Sequence, residues 1–341
     1  MTSSVAGRAD TVRVITGASG HIGGVLARML VHRFGPGQVR AIHRGRRGTA
    51  ADLGIGWVHG ELQDAESLNA AFKGAEVVYH LAALISLHGD RAEEFHRTNV
   101  LGTRNVVAAA LAAGVRRLVH VSSIHAYDQE PADEVLDESR GPAHDPHDPY
   151  GLSKAAGEVE VRRGIEKGLD AVIVNPTSVI GPYDAGPSHM GQLFLDLYRR
   201  RIPALVAGGY DWVDVRDVAS ATMAAETQAR CGENHLVSGH WQTMGKLAEL
   251  AEQATGVASP RLRFPVSLAQ LWAPCQVFLD RRRGRRPLYT PMAVRVMAAG
   301  NRRVSNAKAR QTLGLNPRPL AETVNDTYRW FDEHGMLDEP G

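Results

Sequence analysis

Tyr150-Gly-Leu-Ser-Lys154 carries a phenol and an ammonium four residues apart, the spacing that sets two side chains on one face of a helix. A lysine charge stabilises a phenolate. Tyr150 can then give a proton to a carbonyl oxygen or take one from an alcohol, with Lys154 tuning it and binding ribose. Ser122 and Ser123 end the strand-like run Arg117–Val121. Ser123 is the expected hydroxyl for polarising a substrate oxygen, and Ser122 is expected beside the cofactor or capping backbone groups. Tyrosine and lysine are common on helix surfaces, so this motif gains meaning only from its surroundings.

Those surroundings lie upstream, in Thr16-Gly-Ala-Ser-Gly-His-Ile-Gly23 between a strand-like run and an apolar helix. Gly17, Gly20 and Gly23 suit a tight turn, close approach of a pyrophosphate and close helix–sheet contact. Backbone NH groups of Ser19, Gly20, His21 and Ile22 would face the phosphates. No Asp or Glu occurs from Thr11 through Ala51, whereas His43 and Arg44 follow the second strand. Arg44 is the expected partner of a ribose 2′-phosphate, so NADP(H) is favoured over NAD(H). Arg46 and Arg47 read as a solvated loop. Glu61 can meet the adenine amine and Leu62 can cover the ring. Ala82 and Ala83 leave room for the cofactor, and Asn99 is either a helix cap or a site organiser.

The elements that must position these groups follow from periodicity. Strand-like runs at Val12–Ile15, Val39–Ile42, Trp57–His59, Glu76–Leu81, Arg117–Val121 and Ala171–Asn175 alternate with helical stretches. This predicts an α/β fold, a doubly wound parallel sheet of Rossmann type with a smaller, mostly C-terminal substrate-binding region. Residues 1–175 form the dinucleotide-binding and catalytic region, with 205–240 returning to it; 176–204 and 241–341 form the substrate-binding region.

Composition narrows the function classes. With a net charge of +2 over 341 residues, nucleic acid is not an expected partner. Cys231 and Cys275 are too few for a disulfide framework or a cysteine-rich metal site, and no metal is expected. No signal-peptide core precedes the glycine motif, so a cytoplasmic location is expected. Phe264 to Leu279 is the most membrane-like stretch, but it is short, contains proline and runs into Arg281-Arg-Arg-Gly-Arg-Arg286. It reads as a buried helix or an interfacial face rather than a span, which leaves peripheral membrane contact open.

The glycine motif, His80-Leu-Ala-Ala83, Asn99-Val-Leu-Gly-Thr103, Val121-Ser-Ser123, Tyr150 to Lys154, Asn175-Pro176 and Trp212-Val-Asp-Val-Arg-Asp217 together resemble the extended short-chain dehydrogenase/reductase family. The resemblance covers nearly the whole chain, and is nearest to dihydroflavonol-reductase-like and 3β-hydroxysteroid-dehydrogenase-like members. It implies hydride transfer by Ser123, Tyr150 and Lys154. It also implies that Asn175, Pro176 and Val179 lie beside the nicotinamide, and that a homodimer forms through helices near Asn99 and Tyr150. A substrate pocket is expected around Leu84 to Ser86, His125, Met190 and Trp212, with Phe264, Leu268, Leu271 and Trp272 able to close it.

The resulting expectation is NADPH-dependent reduction of a ketone or aldehyde to an alcohol on a hydrophobic small molecule. One alternative is an NAD-dependent nucleotide-sugar epimerase or dehydratase. Another is a noncatalytic NADPH-sensing interaction protein, against which the intact Ser123, Tyr150 and Lys154 argue.

Overall fold

The computed structural model describes residues 11–85, 91–282, 294, 295, 297 and 300–338. Ser86 and the end of the basic run, 283–286, lie outside the described residues; Arg281 and Arg282 end a helix.

Apolar residues run consecutively in the first strands because each strand is covered on both faces. In β1 (Val12–Thr16) and β2 (Val39–His43), Val14 and Ile42 face one layer of helices while Ile15 and Ala41 face the other. β3 (Gly56–His59), β4 (Ala75–His80), β5 (Arg117–Val121), β6 (Ala171–Pro176) and β10 (Asn234–Val237) complete a seven-stranded sheet, ordered β10-β6-β5-β4-β1-β2-β3. All its pairings are parallel. One face is covered by α1 (His21–Phe34) and α7 (Val215–Gln228), the other by α2 (Ala65–Phe72), α4 (Gly102–Ala112) and α5 (Pro149–Glu166). This is the Rossmann-type sheet expected from the strand–helix alternation.

The chain leaves β1 towards β2 and β3, then returns to the other side of β1 as β4. The crevice at the C-terminal ends of β1 and β4 is therefore the topological switch point, where ligands of such sheets bind. Thr16, His80, Val121 and Pro176 all end strands on this edge.

Beyond β6 the chain builds a second, smaller core. β7 (Ser178–Ile180), β9 (Gly209–Asp214) and β11 (His240–Thr243) form a three-stranded sheet. A parallel ribbon joins β8 (Ala204–Val206) to β12 (Leu262–Phe264). α6 (His189–Tyr198), α8 (Met244–Thr255), α9 (Val266–Arg282) and the helix Leu320–Glu333 pack here around Phe194, Trp212, Leu247, Tyr328 and Phe331. Among the described residues, no helix is long and apolar enough to cross a membrane.

Candidate active site

Three glycines shape the entrance to α1. Gly17 has φ +78°, and a Cβ there would lie 2.7 Å from the Ala82 nitrogen. A Cβ on Gly23 would lie 2.2 Å from the Gly17 carbonyl oxygen. Gly20 begins the helix without a side-chain cap, and no acidic residue occupies the first turn. The unpaired NH groups and the helix dipole therefore suit a diphosphate. Ser19 is exposed against Gly48, Ile22 packs on the sheet core, and His21 Nε2 lies 2.9 Å from the Pro182 carbonyl, tying the loop to the second core.

The floor of this cradle is a hydrogen-bonded chain whose key members the sequence did not reveal. Leu81 and Ala82 NH donate to Thr16 Oγ1, which lies 2.8 Å from His80 Nδ1; His80 Nε2 lies 3.1 Å from Thr103 Oγ1. Thr103 donates to the Asn99 carbonyl at 2.7 Å. With Thr103's proton committed, His80 Nε2 must donate and Nδ1 must accept from Thr16. Burial and the nearby Lys154 charge lower the His80 pKa to about 3, in keeping with a neutral ring of one fixed tautomer. Asn99, within the π-helical turn His96–Leu101, accepts from Leu84 NH at 2.8 Å and donates to Ser153 Oγ at 3.0 Å. It thereby pins the Leu81–Ile85 segment to α5, with Ala83 partly buried between.

α5 delivers Tyr150 and Lys154. Asp148 caps it, its Oδ1 accepting from Gly151 NH at 2.8 Å, and Pro149 supplies the fixed φ of the first turn. Asp148 Oδ2 lies 3.1 Å from His125 Nδ1, and the His125 ring meets Tyr150 edge-on at 5.6 Å between centroids. Burial pushes the Asp148 carboxyl upward, but hydrogen bonds from His125 and backbone NH groups hold it below its ordinary value. Tyr150 is pushed up to about 12 by burial, against the lowering effect of a hydrogen bond from Ser123. Lys154 is lowered to about 8 by burial, with Glu158 opposing, and its Nζ donates to the Val121 carbonyl at 3.1 Å. Ser123 lies two residues beyond β5 and accepts from His125 NH at 3.2 Å. Ser122 is buried with no hydrogen-bond partner for its hydroxyl. That orphan, the glycine cradle and the uncapped helix together fit a dinucleotide.

Behind this centre, Asn175 donates to the Ser123 carbonyl at 3.1 Å and to Glu158 Oε1 at 2.6 Å, and accepts from Asn234 at 3.0 Å. Its side chain is thus spent on holding β5, α5 and β10 together. Pro176 ends β6 beside Val237, and Val179 packs partly buried on the main core.

At the adenosine end, His43 Nδ1 accepts from Gly45 NH at 3.0 Å, and Arg44 is exposed. Glu61 is exposed too, while Leu62 is buried against Gly102. On the substrate side, a cavity of about 150 Å³ opens beside His125, Asp128, Asp148, Tyr210, Asp211 and Arg295. Met190 packs partly buried on the second core. Trp212 is only 1% exposed and its indole donates to the Gln242 carbonyl, so it serves the core, not the cavity. Tyr210, Asp211 and Arg295 were not legible as cavity residues, since the fold brings them in from distant segments.

Comparison with known proteins bears on this geometry. Residues 13–238 match the model described as the NAD dependent epimerase/dehydratase family. Sterol demethylase protein B of Methylococcus capsulatus is 36% identical over 95% of this chain and 99% of its own. The solved structure of gox2253 is 33% identical, with a TM-score of 0.78 over 96% of this chain and 99% of that one. MoeE5, solved with UDP-glucose and NAD, is 22% identical, with a TM-score of 0.73 over 95% of this chain and 99% of that one.

These findings correct the expected cofactor and reaction. The family is described by NAD dependence, and NAD is what MoeE5 binds. This overturns NADP(H) as the favoured cofactor, and with it NADPH-dependent carbonyl reduction. The NADP(H) expectation rested on the positive charge of Arg44 after β2, and an exposed charge there does not by itself select a 2′-phosphate.

Proposed function

The chain belongs to the NAD dependent epimerase/dehydratase family, and from that premise we propose that it uses NAD to oxidise a secondary hydroxyl of a nucleotide sugar to a ketone and to reduce it again within one cycle, as an epimerase does. The observation that carries the reading is the convergence of Ser123, Tyr150 and Lys154 on the sheet edge that also holds the glycine cradle. When bound, NAD supplies a hydride-accepting ring that carries positive charge.

Gly17 to Gly23 would hold the diphosphate through backbone NH groups, and Lys154 would reach the nicotinamide ribose. Ser123 Oγ hydrogen-bonds the reacting substrate oxygen. Tyr150 Oη takes the hydroxyl proton during oxidation and gives it back during reduction. A phenol held at about 12 by burial needs nearby positive charge to work at neutral pH, and Lys154 is the protein's contribution. Among the residues around the cavity, His125, Asp128 and Asp211 offer hydrogen-bonding groups to a polyhydroxylated substrate, and Arg295 is the group that could meet a phosphate. Epimerisation is favoured over dehydration because the nearby carboxylates are engaged: Asp148 by His125 and Gly151, Asp211 by Thr177 and Gly239. The reading includes a homodimer across α4 and α5, which would cover the exposed Val159.

A second reading, NAD-dependent oxidation of an apolar secondary alcohol, is favoured by the exposed apolar residues at the start of α9 and by the relative named for sterol demethylation. One experiment separates the two. The protein is incubated with NAD and a panel of UDP- and dTDP-sugars, then with sterol-like alcohols; sugar products are resolved by anion exchange and NADH by absorbance. Sugar interconversion without accumulating NADH, lost by roughly 100-fold or more in Tyr150→Phe, is the expected result. Stoichiometric NADH from the apolar alcohols alone would refute the first reading and establish the second.

A further inference from the structure

The second core ends in a surface that reverses the usual burial pattern. β12 leaves Leu262 63% and Phe264 46% exposed, and α9 leaves Leu268 53% and Leu271 78% exposed. Among the described side chains of α9, Ala269 and Ala273 are buried in the second core, with Val266 partly buried against it. Residues 268 and 271 share one face of the helix, and 269 and 273 share another. An amphipathic helix that only completed a core would turn its leucines inward and its alanines outward. Four large apolar side chains clustered on one edge are more than scattered surface hydrophobicity.

The charges around this edge identify what it meets. Arg261 precedes β12, Arg263 lies between Leu262 and Phe264 on the other face of the strand, and α9 ends at the exposed Arg282. Arg261 reaches Glu252 at 3.0 Å and Arg263 reaches Glu249 at 3.2 Å. Such exposed pairs are weak, and each guanidinium keeps further donors for other anions. A second copy of the chain docking through this edge would bring arginines against arginines. Anionic phospholipid offers both an apolar layer for the leucines and phosphates for the arginines.

We propose that the β12–α9 edge is a peripheral membrane-docking face, with Leu262, Phe264, Leu268 and Leu271 entering the headgroup–acyl boundary of anionic lipid and Arg261, Arg263 and Arg282 meeting its phosphates. The edge adjoins the substrate side of the molecule: β12 pairs with β8, and three residues beyond β8 the chain enters β9, whose Gly209, Tyr210 and Asp211 line the cavity. Docking would bring that cavity close to the bilayer. The inference goes beyond the proposed reaction and does not depend on which alcohol is oxidised.

The test is co-sedimentation of the full chain with phosphatidylcholine vesicles, with and without phosphatidylglycerol, using no cofactor or substrate. Three variants accompany it: Leu268→Asp with Leu271→Asp, Arg261→Glu with Arg263→Glu, and Tyr150→Phe. All four surface positions are exposed, and circular dichroism melts check that the variants fold. The wild type and Tyr150→Phe are expected to bind the anionic vesicles equally, more weakly as salt rises. The leucine variant is expected to lose roughly 100-fold in affinity, and the arginine variant to lose its preference for the anionic vesicles. No sedimentation of the wild type, or equal sedimentation of the leucine variant, would overturn the proposal. So would a wild-type dimer in light scattering that becomes monomeric in the leucine variant, since the face would then belong to a second copy.

Discussion

Lys154 should make the protein less stable at neutral pH than it would be without the charge. Its side chain is 97% buried by area, 3% remaining exposed, and burial lowers its pKa from 10.5 to about 8. Folding therefore disfavours the protonated form. Below pH 8 both folded and unfolded chains carry the proton, and the full penalty applies. Between pH 8 and 10.5 the unfolded chain holds a proton that the folded chain has released, so this site's contribution to stability rises with pH. A shift of this size is worth roughly 3 kcal/mol. Lys154→Met keeps the length and removes the charge, but leaves the Val121 carbonyl without its donor, which costs about 1 kcal/mol. The net expectation is a variant more stable than wild type by ~1–2 kcal/mol at pH 7, or roughly 1–3 °C in Tm. That advantage should vanish by about pH 10, once wild type has shed the proton. Urea unfolding at both pH values measures it. A variant less stable than wild type at pH 7, or a difference that does not change with pH, would show that Lys154 is not held against its own solvation.

Gly23→Ala forces a methyl group into the Gly17 carbonyl, so it should lower stability by ~2 kcal/mol or more and abolish NAD binding in calorimetry. His80, with its pKa at about 3, favours the native state while neutral; that contribution is lost as pH falls from 6.5 towards 3. His80→Gln should accordingly flatten the acid limb of a stability–pH profile between those values. Glu226→Gln weakens the buried partner of Arg13, which it meets at 2.9 Å, and of Tyr79, so chemical denaturation should show a loss of about 3 kcal/mol. A loss under 1 kcal/mol would mean that Arg13 is satisfied by Gln38 and by its position over Phe34.

What was legible in the sequence is what backbone geometry imposes on residue type. Gly17 and Gly23 could be read because a Cβ at either position collides with backbone. Six of the seven parallel strands could be read because Val14 and Ile15, or Leu118 and Val119, must each satisfy a different helical layer. Arg44 was misleading because an exposed charge after β2 does not by itself select a 2′-phosphate. Trp212 misled for a related reason: a large aromatic suits a pocket and a core equally, and only the Gln242 carbonyl placed by β11 decides between them. The small β11-β9-β7 sheet was hidden because its short strands derive their pairing from distant partners rather than from their own periodicity.

The same distinction explains why the residues that tune the site were harder to find than those proposed to perform the reaction. Tyr150 and Lys154 are four apart on one helix, so their relation is local. Thr16, His80 and Thr103 come from β1, β4 and α4, and their meaning is a proton pattern that exists only once the strands lie side by side. Fixing His80 as a neutral ring keeps a second positive charge away from Lys154, while Glu158, one turn further along α5, opposes the loss of the lysine proton. Asn175 and Asn234 occupy the two Glu158 oxygens and so hold that carboxylate in place beneath Ser123. The charge on Lys154 is thereby set by groups outside the proposed reacting trio. Replacing Glu158 should move the pH dependence of the reaction more than its affinity for NAD.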